Sequence, residues 1–364
     1  MGKNSIYVIL LPYLATINFS VAQESVENTY VIGLKSSYGF IIPHREELKD
    51  VSKSSPAGFQ FDLSKQYLTQ RTWDLCGCYP RIGLSLNYTN FSNRKVLGSS
   101  YSLFSYLEPF ISYRGRFQPS FKLGFGLSYL DQVFHESENP LNLFYSTPLS
   151  FIMMAEATLR YSIDERWNFI GALTYNHISN GGVKQPNKGI NFPMGSVGVE
   201  YKLKPVKFID RVSNKTIRDI HPQRWFYQIQ PFFSRKDVVE NQGKYTVMGL
   251  SMNVSYIFTK MSAVTIGMEA VHDGSIAEKK ERFSDNTYNP SNAALLAGHE
   301  LLMGKFIFSQ HLGLYLSKPT IYTNQLYQRI GLQYKINDLL LAGISLKTHT
   351  SVADYVDLRI GVRF

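Results

Sequence analysis

The sequence predicts an all-β fold, an antiparallel transmembrane β-barrel of about 14–16 strands in total. Three observations carry this expectation. The last strand alternates with period two: Val356, Leu358, Ile360, Val362 and Phe364 share one face, and Tyr355, Asp357, Arg359, Gly361 and Arg363 share the other. Beyond the N-terminal segment there is no run of about 18 apolar residues, which disfavours a helix-spanning protein and leaves a closed barrel as the way across a bilayer. The composition agrees, since 24 Tyr and 24 Phe can supply interfacial girdles and 26 Gly suit a tightly curved sheet.

The elements follow in chain order. Met1 to Ala22 carries one early charge, Lys3, an apolar stretch from Ile6 to Ala15 and a small-residue end at Ser20-Val21-Ala22, and it reads as a secretory signal peptide cleaved after Ala22. Alternation then marks candidate strands near 29–43, 57–66, 79–91, 98–113, 117–134, 148–163, 167–179, 192–203, 222–236, 244–258, 261–272, 293–303, 306–317, 326–336, 339–348 and 354–364. Brief turns at Tyr113–Arg116, Ile163–Arg166, Phe258–Met261 and Met303–Lys305 alternate with longer polar loops around 135–147, 180–191 and 273–292. Short connections on one side and long ones on the other are what periplasmic turns and extracellular loops look like, and an even strand count returns both termini to the periplasm.

Lys204 to Arg224, rich in charge and containing Pro205 and Pro222, is the one clear break in composition. It either separates two barrel halves or forms a long periplasmic connection. The length suits a single large barrel, and no convincing internal repeat is visible. The aromatic carboxy-terminus at Phe364 resembles the signal read by the barrel-assembly machinery, an expected partner.

The formal charge of +10 suits solubility during export, or attraction of basic loops to lipopolysaccharide phosphates. Nucleic acid is not an expected partner of an exported chain without a basic helix or a recognisable motif. Cys76 and Cys78 read as too close for ordinary disulfide geometry and lack the further ligands of a zinc site, so they are treated as a loop feature of open redox state.

The chemistry concentrates in Tyr175 to Asn191, which ends one strand, passes a loop full of turn formers and begins the next. In the incoming strand Phe169, Leu173, Tyr175, His177 and Ser179 share a face, and its apolar members mark that face as lipid-facing. In the outgoing strand Asn191 falls with Val197, Val199, Tyr201 and Leu203, while Glu200 and Lys202 face the lumen. A nucleophile, a base and an orienter therefore converge on the outer wall at the membrane rim, where polar groups are unfavourable unless they serve something.

Through His177-x-Ser179-Asn180 and Lys184-Gln185-Pro186-Asn187-x-Gly189-Ile190 this hairpin resembles the PagL-type lipid A deacylases, with longer relatives described as acyloxyacyl hydrolases. The motif resemblance covers the first half of the chain, up to about Leu203, and divides it into 1–22 as signal peptide, 23–204 as a PagL-like eight-stranded unit and 205–364 as further barrel strands ending in Phe364. It implies an outer-membrane serine esterase, a hydrolase that removes an ester-linked acyl chain from lipid A of lipopolysaccharide without metal or organic cofactor. The implied catalytic set is His177, Ser179 and Asn191, with Asn180, Gly181, Gly182 and Asn187 as oxyanion-hole candidates.

Asn191 departs from the family, which carries Glu at that position. An amide can still accept a hydrogen bond and fix a tautomer, but it does not offset the imidazolium with a full charge. No acid takes over, since Glu156 aligns with Ser150, Thr158 and Arg160 and should point inward. Two rival readings stand beside the esterase: a non-catalytic barrel that binds lipopolysaccharide, motivated by Asn191, and a porin-like channel through a wide lumen. His44 and His272 read as solvated or hydrogen-bonded loop-edge residues, and His299, Glu300 and His311 as lumen-bonded strand residues.

Overall fold

The computed structural model describes residues 28–206, 208–213, 215–237, 244–283, 289–317, 324–349 and 352–364; the expected signal peptide at 1–22 lies outside the described residues. The strand pattern resolves into two closed barrels. In the first, β1 (Asn28–Gly39), β2 (Ala57–Tyr67), β3 (Arg81–Asn90), β4 (Ser99–Glu108), β5 (Phe117–Leu130), β6 (Leu149–Ser162), β7 (Trp167–Ser179) and β8 (Ile190–Lys202) pair antiparallel in chain order. β8 returns to β1 in register, Val31 opposite Lys202 and Gly39 opposite Met194. The second comprises β9 (Trp225–Asp237), β10 (Lys244–Ile257), β11 (Ser262–Asp273), β12 (Ser291–Met303), β13 (Phe306–Tyr315), β14 (Leu326–Lys335), β15 (Leu340–His349) and β16 (Val352–Arg363), with β16 closing on β9. Closure pairs the backbone of every strand on both sides, which a sheet edge in lipid could not achieve.

Alternation sets which side chains point where. Leu173 is 72 % exposed and Val197 57 %, whereas Glu200 is 5 % exposed. The outer walls carry aromatic pairs toward the short-turn end, Trp167 on Tyr201 and Phe306 on Tyr334. None of the described helices is long and apolar enough to cross a membrane. Among the described residues three short α-helices lie in the connections: α1 (Gln70–Cys76), α2 (Ile217–Ile220) and α3 (Gly274–Phe283). Thr69 caps α1 by accepting from the Thr72 N–H, and Gly77 ends it with a φ of 62°, in the left-handed region that favours glycine. That turn brings the Cα atoms of Cys76 and Cys78 to 5.1 Å, within disulfide range, and the pair is bonded. Sequence separation alone therefore misjudged this pair.

Eight strands leave an interior just wide enough to be filled by side chains. In the first barrel Lys35, Arg81, Lys122 and Arg160 face Asp62, Glu108, Glu156 and Glu200 across the lumen, all of them buried. Lys35 Nζ lies 2.5 Å from Glu156, Lys122 Nζ 2.9 Å from Asp62, Arg81 2.6 Å and Arg160 2.9 Å from Glu200, and Arg160 also pairs with Glu108. Above this layer, at the long-loop end, Ile41, Leu48, Phe91, Leu97, Phe144 and Tyr145 form an apolar plug. In the second barrel Arg329 pairs with Glu269 at 2.8 Å and with Asp357, while Arg359 holds Asp357 at 2.6 Å. Ion pairs thus span both lumens, and the wide aqueous lumen behind the porin-like reading is not what these strands build. One facing also differs from expectation: His299 points outward, its ring 6.3 Å from that of Phe258, because it alternates with the buried Glu300.

The segment from Lys204 to Arg224 separates the barrels and is fastened to both at the short-turn end. Tyr79 donates to the Ile209 carbonyl at 2.5 Å, and Arg211 reaches Gln70 at 3.2 Å and the Leu68 carbonyl at 3.0 Å. Hydrogen bonding from Tyr113, with Arg114 adding to it, holds the Asp210 carboxyl below the usual range. On the other side Lys260 donates to Ser213 at 2.6 Å, and His221 bonds the Lys260 carbonyl at 2.9 Å.

The lumen network generates a stability prediction. Glu156→Ala leaves Lys35 and Lys122 short of their shared carboxylate and Thr174 without its 2.9 Å acceptor. Breaking a buried pair in this way should cost about 3–5 kcal/mol, read as a lower urea midpoint for loss of heat-modifiable migration of the folded barrel. An unchanged midpoint would show that the network carries no stability.

Candidate active site

β7 and β8 position the three residues singled out by the sequence. In the antiparallel register His177 lies directly opposite Asn191, and Ser179 lies two residues further along β7, opposite Phe151 of β6. Period-two alternation puts His177, Ser179 and Asn191 on the outer wall. His177 Nδ1 is 2.6 Å from Asn191 Oδ1. Because an amide oxygen only accepts, this contact fixes the proton on Nδ1 and leaves the Nε2 lone pair free, the tautomer a general base requires.

Ser179 is only 7 % exposed although it sits on the outward face. Its Oγ accepts from Asn187 Nδ2 at 3.0 Å and from the Gly181 N–H at 3.2 Å, and lies 3.4 Å from Asn187 Oδ1. In this arrangement Ser179 and His177 are not hydrogen-bonded to each other. Of the four oxyanion-hole candidates, Asn187 and Gly181 direct donors at the serine oxygen. Gly182 N–H donates to Asn180 Oδ1 at 3.0 Å, and Asn180 Nδ2 is engaged by the Lys184 carbonyl at 2.8 Å and Ser146 at 3.2 Å. The Asn180 side chain is thus turned into the loop and ties its two ends together.

Glycines make room at two places. A Cβ on Gly189, whose φ is 72°, would fall 2.7 Å from His177 Cε1 and 3.3 Å from Nε2, so only glycine lets the imidazole sit there. A Cβ on Gly182, at φ 84°, would fall 2.6 Å from the Asp354 carbonyl, and one on Gly181 would fall 2.5 Å from Val356 Cγ2. The loop behind the serine is therefore seated against β16 of the second barrel, a contact that local pattern in the sequence could not indicate.

His44, read from sequence as a loop-edge residue, also arrives at this site. Past Gly39 the chain continues along β8, with Phe40 N–H donating to the Pro193 carbonyl at 3.2 Å and Ile42 N–H to the Asn191 carbonyl at 2.9 Å. This carries His44 to Lys188 and Asn191: its Nε2 is 2.9 Å from the Lys188 carbonyl and its Nδ1 is 3.4 Å from Asn191 Nδ2. Lys188 is held in turn by Glu47 at 3.2 Å. The signal that could have found His44 is the closing pairing of β1 with β8, not the sequence around residue 44. Glu156 points into the lumen, and His272, His299 and His311 lie in other strands away from this group. Among the described residues no group of three or more His, Cys, Asp or Glu is gathered as a metal site would need.

The arrangement offers a hydroxyl with two donors at its oxygen and, on the same strand face, an imidazole held in its basic tautomer, a set suited to acyl transfer. Comparison with known proteins supplies the family. Residues 58–200 match the family model described as lipid A 3-O-deacylase (PagL). Residues 225–364, where no family motif is legible, match the acyloxyacyl hydrolase C-terminal domain. No curated protein matches the chain. Among solved structures, the chain is similar to Neisserial surface protein A, at 14 % identity over 48 % of this chain and 97 % of that one with a TM-score of 0.31. It is similar also to the outer membrane enzyme PagL, at 17 % identity over 47 % and 99 % with a TM-score of 0.30. The two family matches lie one on each barrel, and the chain belongs to the PagL-type lipid A 3-O-deacylase and acyloxyacyl hydrolase family of outer-membrane β-barrel proteins.

Proposed function

We propose that the protein is a serine esterase that removes an ester-linked acyl chain from lipid A, with Ser179 as nucleophile, His177 as general base and Asn191 as its orienter. The observation that carries this reading is the 2.6 Å contact of His177 Nδ1 with Asn191 Oδ1, which places the basic nitrogen of an outward-facing imidazole on the strand face that also bears Ser179. In the first step His177 Nε2 takes the Ser179 proton as Oγ attacks the ester carbonyl. Collapse of the tetrahedral intermediate breaks the acyl–oxygen bond, and His177 gives that proton to the leaving oxygen, which departs as an alcohol. Water then attacks the acyl-serine, His177 again takes and returns a proton, and free fatty acid leaves.

Asn187 Nδ2 and the Gly181 N–H donate to Ser179 Oγ itself, and in this reading they turn to the carbonyl oxygen of the ester as Oγ attacks it and so supply the oxyanion hole. The missing bond between His177 and Ser179 is compatible with it, since catalytic hydrogen bonds are often loose without substrate and tighten when it binds. A site on the outer wall, flanked by Leu173 and Tyr175, meets a substrate whose acyl chains already lie in the membrane. The long-loop end, with the site, faces outward in this orientation, and the termini lie in the periplasm. Lys184 lies in the loop at that end and suits the phosphates of the substrate.

Four variants test the assignment. Ser179→Ala should lower fatty acid release from purified lipid A by about 10³ or more, with heat-modifiable migration unchanged; retained activity would place the nucleophile elsewhere. Asn191→Glu restores a carboxylate beside the imidazolium and should raise the rate, with a ceiling near the ~10⁴ lost when a triad acid becomes an amide. If both Asn191→Glu and Asn191→Ala match the parent, Asn191 is no orienter. Gly189→Ala forces a methyl group against His177 Cε1 and should reduce activity by about 10–100-fold through displacement of the base. An unaffected rate in that variant would mean that the imidazole does not need its observed seat.

A further inference from the structure

We propose that His44 is a positioning residue for this reaction: it locks the orientation of the Asn191 amide and, through it, the tautomer of His177. The inference rests on the esterase reading for its consequence, but its geometry stands apart from it.

An asparagine side chain has two ends of nearly equal shape and opposite hydrogen-bonding character. With its oxygen toward His177 Nδ1, Asn191 favours the Nδ1–H tautomer and a free Nε2 lone pair. Flipped by half a turn, it would present its NH2 to Nδ1, move the ring proton to Nε2 and leave Nε2 without the lone pair that a base needs. A glutamate at this position has two equivalent oxygens and needs no such lock. An asparagine at this position therefore creates a requirement that something must meet.

The contacts of His44 meet it, and their direction follows from one backbone group. The Lys188 carbonyl can only accept, so His44 Nε2, at 2.9 Å, carries the hydrogen. A neutral imidazole protonated on Nε2 has its lone pair on Nδ1, which accepts from Asn191 Nδ2 at 3.4 Å. With its NH2 engaged there, Asn191 turns its oxygen to His177 Nδ1 at 2.6 Å. Donors and acceptors thus run in a consistent order from the Lys188 carbonyl through His44 and Asn191 to His177. One backbone bond and one ion pair hold the ends in place: the Ile42 N–H bonds the Asn191 carbonyl at 2.9 Å, and the Glu47 carboxylate pairs with Lys188 at 3.2 Å. His44 itself is exposed in the β1–β2 connection, so replacing it leaves the barrel core untouched.

The test uses the full chain in detergent micelles, with the imidazole nitrogens of His177 read by ¹⁵N NMR. The parent should show a protonated Nδ1 and a free Nε2. His44→Leu, which removes the acceptor, should give a mixture of His177 tautomers and a fall in fatty acid release of about tenfold, the effect of one hydrogen bond. His44→Asn, whose Oδ1 replaces the lost acceptor, should keep the parental tautomer and most of the rate. In the Asn191→Glu background His44→Leu should change neither readout, because a carboxylate has no orientation to lock. An unchanged His177 tautomer in His44→Leu overturns the proposal, as does an equal loss of rate in both backgrounds. A protein that shows the tautomer shift yet releases no fatty acid supports this positioning role and removes the esterase reading.

Discussion

The pairing of β8 with β7 on one side and with β1 on the other is the constraint on which the rest of this structure depends. Its first half sets His177 opposite Asn191 and directs both to the outer wall. Its second half closes the first barrel and carries the β1–β2 connection, with His44, onto the same spot. A slip of one residue in either ladder would send the polar set into the lumen, where Glu200 and Lys202 now point, and bring lumen charges to the lipid face. The filled lumen opposes such a slip, since Glu200 can hold Arg81 and Arg160 only in the present register.

Polar residues on a lipid-facing wall are costly, and here that cost is met locally. Ser179 is screened by its own loop, Asn191 and His177 satisfy each other, and the Gly181-Gly182 turn is backed by β16 of the second barrel. The second barrel thus borders the proposed active site while adding none of the three residues proposed for the chemistry. The backing requires positive φ at both glycines and leaves no room for a side chain at either.

The parts of this account that were legible in the sequence are those governed by short-range period. Alternation located the strands and gave the outward facing of Leu173 and Val197 and the inward facing of Glu156 and Glu200. The motif around His177, Ser179 and Asn187 was visible because all of it lies in one hairpin. What was not legible depends on closure. Period two does not say whether β8 continues to β9 or returns to β1, so the charged segment that begins at Lys204 could be read as either a linker or a long connection, and a single wide lumen remained conceivable. His44 is brought to Asn191 by pairing across 147 residues of chain. The Cys76–Cys78 bond depends on the left-handed turn at Gly77, which spacing alone does not reveal. A strand histidine next to Glu300 reads as a lumen residue from type alone, but adjacent strand residues face opposite ways, and with Glu300 buried His299 turns outward.

The central claim is that Ser179 becomes acylated by lipid A in the course of turnover. The most direct measurement is to mix the full-length protein with lipid A, quench in acid within the first turnovers, digest, and weigh the peptide that carries Ser179. The account predicts a fraction of that peptide heavier by one fatty acyl group, lost on longer incubation as free fatty acid accumulates. Fatty acid release with the acyl group found on another residue would contradict it.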